Sequence, residues 1–342
     1  MALRFADSFD HYATPQITQK WTGQAVANAW SIVLGGGRES GAGALYNSGS
    51  AGTAPARIFT SEDTWTVGMA VNLTGLNAPL WTIYDSSTNH IQLTVSLTGT
   101  GAIQAEVEAG TYTSDSPVVT TGVWAYIEAQ IVISATVGTV TVKVNGVEVI
   151  SETGIDTAVG GTLTADTLIF GYQAIGQTSA SCPGYYDDLY LCDGTGSYNN
   201  TFLGNVIVQA LRPVDPGSND AFTPDPYPNW ANVNDDTPDG DSTANSSGTT
   251  DDMDSFKHDA VRPTGATILG IQHVLSARTA TSTSHSLAAL EYTGATAYPE
   301  TGQALQTAYQ MQIFPRDTDP ATSLPFTEAD LNAAEFGYEL TA

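Results

Sequence analysis

The clearest alternation of apolar and polar positions runs from Trp124 to Val149. In its first arm Ile127, Ala129, Ile131 and Ile133 alternate with Glu128 and Gln130, and in its second Val140, Val142 and Val144 alternate with Thr141 and Lys143. A period of two belongs to a strand with one buried face. Asn145-Gly146 supplies the two left-handed residues of a type I′ turn. The pattern predicts a hairpin in which Val144 faces Val147 and Val142 faces Val149 on one buried surface.

Shorter runs of the same kind surround it. Thr64–Leu73 places Trp65, Val67, Met69 and Val71 on one face, and Leu80–Tyr84, Ile91–Leu97, Ala102–Glu108, Thr167–Gly171 and Tyr185–Cys192 continue the series. Many short strands at steady spacing, with no helical period before residue 204, predict a two-sheet sandwich. Gly35–Gly43 follows the strand-like Ser31–Leu34. Its spacing fits neither a Walker loop nor a dinucleotide fingerprint, so it reads as a bulged, turning segment.

After Leu211-Arg-Pro213 the texture changes. Asp215–Asp259 holds eleven aspartates and one lysine, with Pro216, Pro224, Pro226, Pro228 and Pro238 spread through it. Without apolar alternation it reads as an extended connecting arm. Asp235, Asp236, Asp239 and Asp241 raise the question of a structural calcium, but an EF-hand loop needs a register of acidic oxygens and glycine that is missing here. Beyond the arm, Thr267–Leu275, Leu287–Tyr292 and Leu305–Ile313 read as strands, and Thr327 and Asp330 form the capping box of a short helix ending by Phe336-Gly337. The expected organisation is therefore all-β: a sandwich over 1–207, an acidic arm over 208–260, and a second, smaller β-sandwich with one short helix over 261–342.

Charge narrows the function classes. The 342 residues carry a formal net charge of −26 with ten basic residues, so neither a nucleic-acid groove nor attraction to an anionic membrane is expected. Charged residues are 13% of the chain, about half the usual share. The surface is then built largely from Thr, Ser, Asn, Gln and Gly, which suits β-proteins that pack on other subunits and equally those that work outside cells. The first residues hold no apolar core of signal-peptide length, which implies a product made in the cytoplasm. Cys182 and Cys192 suit no zinc spacing and are expected to remain unpaired.

Two motifs carry a family resemblance. Trp124, the hairpin Gly138-Thr-Val-Thr-Val-Lys-Val-Asn-Gly146 and the later Tyr186-Asp-Asp-Leu-Tyr190 resemble concanavalin A-like (laminin-G-like) jelly rolls, in which a "W…G.v.vyvNG" hairpin precedes a "DDv.vy" strand. More narrowly, Tyr185–Leu203, with the opening Phe9-Asp-His-Tyr12 and Lys20-Trp21, resembles structural proteins of tailed bacteriophages. Pro325, Thr327, Leu331, Asn332 and Phe336-Gly337 are similar to a pattern in the same group. The resemblance implies a concanavalin A-like jelly roll in a non-enzymatic virion component, a head-decoration, fibre or tail-associated protein, homo-oligomeric or attached to other virion proteins. The arm 215–259 and the carboxyl-terminal sandwich would supply the contacts.

Retaining hydrolases of this fold place two glutamates around an aspartate on one strand, and no Glu-x-Asp-x-x-Glu occurs here. Glu106 and Glu108 read as a solvent-facing row. The five histidines are scattered, and no serine sits in a nucleophile elbow. No catalytic residue and no cofactor is implied, and Asp187-Asp188 reads as a structural pair organising a turn. The alternative is an adhesin binding a cell-surface glycan, with Trp81, Tyr84 and Asp85 beside the polar loop Asp85–His90 as contact candidates. A glycoside hydrolase is the weaker alternative.

Overall fold

The computed structural model describes residues 2–23, 29–50, 52–171, 181–281 and 284–342. It forms two compact units, Met1–Val208 and Gln209–Ala342. The strands of the first unit are β1 (Leu3–Asp7), β2 (Trp30–Val33), β3 (Ala44–Asn47), β4 (Ala56–Glu62), β5 (Thr64–Leu73), β6 (Pro79–Asp85) and β7 (His90–Leu97), then β8 (Ile103–Val107), β9 (Gly110–Thr113), β10 (Ala125–Val132), β11 (Gly138–Val144), β12 (Val147–Ile155), β13 (Ala165–Phe170) and β14 (Gly184–Asp193). An eight-stranded sheet has the order β12-β11-β10-β5-β14-β3-β2, with β1 also on β14, and a six-stranded sheet has the order β4-β13-β6-β7-β8-β9. The chain changes sheet at β4, β5, β6, β10, β13 and β14, which is the crossing pattern of a jelly-roll sandwich.

Alternation decides what lies between the sheets. Val67, Met69 and Val71 of β5, Ile127, Ala129 and Ile131 of β10, and Val140 and Val142 of β11 are all buried, opposite Ile83, Leu93, Val95 and Leu168 of the other sheet. Each such aliphatic side chain contributes roughly 1.5–3 kcal/mol on burial. The hairpin is present, with Asn145 at φ 50° and Gly146 at φ 79°. Its second arm departs from expectation. Val142 pairs with Ile150 because Val149 is the extra residue of a β-bulge, and β12 is a sheet edge. Val147 is therefore 65% exposed, and Ile150 takes the buried place expected of Val149. The lead-in also holds a one-turn helix, α1 (Ile17–Lys20), too short to leave a helical period.

Both cysteines are free and buried. β14 is one extended strand, so its length separates Cys192 from Cys182. Along one edge β14 pairs first with β3 and then with β1, and the change of partner coincides with a bulge in which Asp188 has φ 50°.

The second unit corrects the reading of an acidic connecting arm over 208–260. That stretch supplies β15 (Pro213–Asp220), β16 (Thr223–Asp225), β17 (Ala244–Ser246) and β18 (Met253–His258). They are followed by β19 (Ile271–Ala277), β20 (Ser286–Thr293), β21 (Thr296–Pro299), β22 (Gln303–Ala304), β23 (Gln310–Arg316), the helix α2 (Glu328–Ala333) and β24 (Glu335–Leu340). The main sheet is β15-β18-β24-β20-β21, with β22 on β20, and β19 pairs with β23. Aspartates do here what apolar residues do elsewhere. The fully buried Asp254 accepts hydrogen bonds from the Phe222 amide (3.0 Å), the Asn229 side-chain amide (2.7 Å) and the Tyr338 hydroxyl (3.1 Å). The helix cap is as expected, Thr327 accepting from the Asp330 amide at 3.1 Å, but α2 stops at Ala333 and Phe336-Gly337 belong to β24.

Candidate functional site

The three expected glycan contacts are all interior. Trp81 is 0%, Tyr84 1% and Asp85 3% exposed, so none offers a face to a sugar. The alternation in β6 could not reveal this, because both faces of that strand are covered. Trp81 pairs with Val95 on the core side. Asp85 is a turn-former: its Oδ1 accepts from the Ser87 hydroxyl (2.7 Å) and from the Thr88 amide and hydroxyl (2.8 Å each). Burial pushes that carboxyl up, and these hydrogen bonds outweigh it and hold it below its usual range. Burial, with Asp166 and Asp85 nearby, raises the Tyr84 phenol.

On the outer side of the six-stranded sheet a polar row runs from β6 to β9, covered at its β6 and β7 end, where Thr82 and Thr94 are buried, and open at β8 and β9. Register aligns Thr82 with Thr94, Thr94 with Glu106 and Glu106 with Thr111. The next row aligns Ser96, Gln104 and Thr113, the Gln104 amide donating to the Thr113 hydroxyl at 3.1 Å. Glu106 is exposed, as its solvent-facing reading required. The Thr94 hydroxyl is buried and has no hydrogen-bond partner among the described residues. A row of hydroxyl, amide and carboxylate groups is suited to a polyhydroxylated ligand. The signal in sequence is the polar half of each strand's alternation, which on its own looks like an ordinary wet face.

The other polar constellations join distant segments. Lys20 Nζ lies 2.9 Å from Asp7 Oδ1, and both side chains are fully buried. Asp7 also accepts from the Tyr12 hydroxyl (2.7 Å), the Trp21 indole (2.9 Å) and the Phe9 amide (2.9 Å). Lys20 desolvation lowers its ammonium against the pull of Asp7. Asp187 accepts from the Arg38 amide at 2.7 Å, and Asp188 accepts from the Val208 amide at 2.7 Å and pairs with the Arg38 guanidinium at 2.7 Å. The acidic pair thus ties the turn after β2 and the exit of the domain to β14. Burial drives both carboxyls up, Asp188 to about 6 and Asp187 to about 8, the neighbouring Asp188 charge adding at Asp187. Glu128, on the outer side of β10, accepts from the Tyr190 hydroxyl and from the Gly204 amide (2.8 Å).

Of the four aspartates considered for calcium, Asp235 and Asp239 share the Thr243 hydroxyl, at 3.3 and 3.0 Å, while the other two turn to cationic partners. Asp236 pairs with Arg212 at 3.0 Å, Asp239 accepts from Thr243, and Asp241 binds Arg278 and the Tyr309 hydroxyl, each at 2.8 Å. Among the described residues no three His, Cys, Asp or Glu side chains converge as a metal site would require. No helix among the described residues is long and apolar enough to cross a membrane.

No protein-family model and no curated protein matches the chain. Solved structures of similar shape include the alginate lyase Aly36B, at 12% identity and TM-score 0.35, covering 55% of this chain and 95% of that one. Another is the Ruminococcus gnavus IT-sialidase CBM40 bound to α2,3-sialyllactose, at 12% identity and TM-score 0.33, covering 43% and 88%. A third is domain 4 of AbnA, a GH43 extracellular arabinanase from Geobacillus stearothermophilus, in complex with arabinotriose, at 16% identity and TM-score 0.32, covering 49% and 76%. At such identities and scores the likeness bears on neither activity nor ligand.

Proposed function

We propose that this chain is a non-enzymatic structural component of a tailed-bacteriophage particle. The observation that carries the reading is where its resembling residues lie. Tyr12, Lys20 and Trp21 close around Asp7, and Asp187-Asp188 clamp Arg38 and the Val208 amide. The residues on which the resemblance to virion proteins rests are thus joints of the framework. A low-charge, acidic surface and β-units tied by buried polar joints suit a subunit that packs on other virion proteins. The chain would be made in the host cytoplasm and reach its place by assembly, as an oligomer or bound to a capsid or tail protein. Mass spectrometry of gradient-purified particles whose genome encodes the chain tests this: it should be present at a fixed copy number. Its absence from intact particles would overturn the proposal.

A second reading, a glycan-binding adhesin, is favoured by one observation, the open end of the polar outer row, where Glu106, Gln104 and Thr113 lie on β8 and β9. On this reading Gln104→Ala and Glu106→Gln weaken binding on a glycan array without lowering the melting temperature. Array binding insensitive to both would remove it.

A further inference from the structure

A different row, on the outer side of the eight-stranded sheet, has the build of a sugar-stacking platform. Register places Asn72 of β5 beside Tyr185 of β14, Tyr185 beside Tyr46 of β3, and Tyr46 beside Ser31 of β2. The row one residue along each strand is the core: Val71, Tyr186 and Leu45 are completely buried. Asn72, Tyr185, Tyr46 and Ser31 are only half-buried, so alternation turns them to the outside. The two tyrosine rings lie 5.0 Å apart at an interplanar angle of 47°. A methyl group at Gly36 would fall 3.0 Å from Tyr185 Cε1 and 3.1 Å from Cδ1, so the turn after β2 packs along one edge of that ring and restricts it. Neither phenol, nor the Asn72 amide, nor the Ser31 hydroxyl has a side-chain hydrogen bond among the described residues.

We infer that this row binds a neutral polysaccharide chain. Two adjacent aromatic rings offer stacking surface to the C–H faces of successive pyranose rings, and restricting a ring beforehand lowers the cost of ordering on binding. The amide and hydroxyl at the two ends supply donors and acceptors for sugar hydroxyls, and three strand spacings give a row about 14 Å long. The row holds no cation, and the chain's net charge of −26 repels an acidic polymer. This site is separate from the Thr94 row, and it holds whether or not the chain is a virion component.

The test is titration of the full chain with cellohexaose, xylohexaose, laminarihexaose and maltohexaose, with a mannuronate hexasaccharide as the acidic comparison. At least one neutral probe should bind. Tyr46→Ala and Tyr185→Ala should each weaken it by roughly tenfold or more, while Tyr46→Phe and Tyr185→Phe, which keep the rings, should largely restore it. Hydroxyl-radical footprinting of the wild-type chain needs no variant, and saturating probe should protect Tyr46 and Tyr185. Binding of none of the neutral probes, preference for the acidic one, survival of binding in the Tyr46→Ala/Tyr185→Ala double variant, or protection confined to the Thr94 face would each overturn the inference.

Discussion

Lys20 shows how a single residue is committed by its neighbours. Its ammonium and the Asp7 carboxylate are both fully buried, 2.9 Å apart, and three further donors fill the carboxylate. Removing one partner leaves the other charge inside, so Lys20→Met should cost roughly 3–5 kcal/mol in urea unfolding. Lys20→Met combined with Asp7→Asn should cost clearly less than the single change. A loss below about 1 kcal/mol for Lys20→Met would mean that the pair is not a joint. Asp187 makes a pH statement. Its carboxyl is raised from 3.8 to about 8, and that of Asp188 to about 6, so the folded chain holds protons that the unfolded chain has already released. Their contribution is complete below about pH 4 and is lost as pH rises through 6 to 8. The melting temperature should therefore fall between pH 5 and pH 8, and Asp187→Asn should make that fall shallower. An unchanged slope in the variant would contradict the assignment. At the hairpin tip Gly146 has open space around it but φ 79°, so Gly146→Val should cost about 1–2 kcal/mol through backbone strain alone.

At the scale of elements, close approach between strands decides what can change. A methyl group on Gly337 would lie 1.9 Å from the Asp254 carbonyl oxygen, where β24 crosses the partner it shares with β15. Gly337→Ala should then destabilise the second unit by roughly 1–3 kcal/mol, read as early loss of amide protection in β18 and β24. Protection equal to wild type would show that the strands can part without cost. The same scale explains what was legible in the sequence. The apolar–polar alternation of β10 and β11 makes them legible as strands, although only β11 buries a single face; β5 and β10 are covered on both. β15 carries no such alternation. Its eight residues are mostly exposed, and its place in the sheet rests on backbone pairing with β18, so an aspartate- and proline-rich strand looked like a tether. The β12 register was hidden because a bulge adds a residue without altering composition. Trp81 and Tyr84 mislead for the opposite reason: an aromatic next to a polar loop looks open, but β6 is covered on both faces. The Tyr46–Tyr185 platform could not be seen at all, since its two rings are 139 residues apart in sequence and meet only through β14.

At the scale of the molecule, two β-units of different build share one habit. Each closes over buried polar groups that join segments far apart in the chain: Asp7 with Lys20 and Asp187-Asp188 with Arg38 in the first, Asp254 with Asn229 and Tyr338, and Arg316 with Glu291, in the second. In the proposed setting such joints would preserve shape, with the surface left for contacts with other subunits. Cryo-electron microscopy of the particle encoded with this chain is the most direct test of that setting. The expected result is density for the eight- and six-stranded sandwich at a repeated, symmetry-related position in the head or tail. A complete map with every protein assigned and no such density would contradict the account.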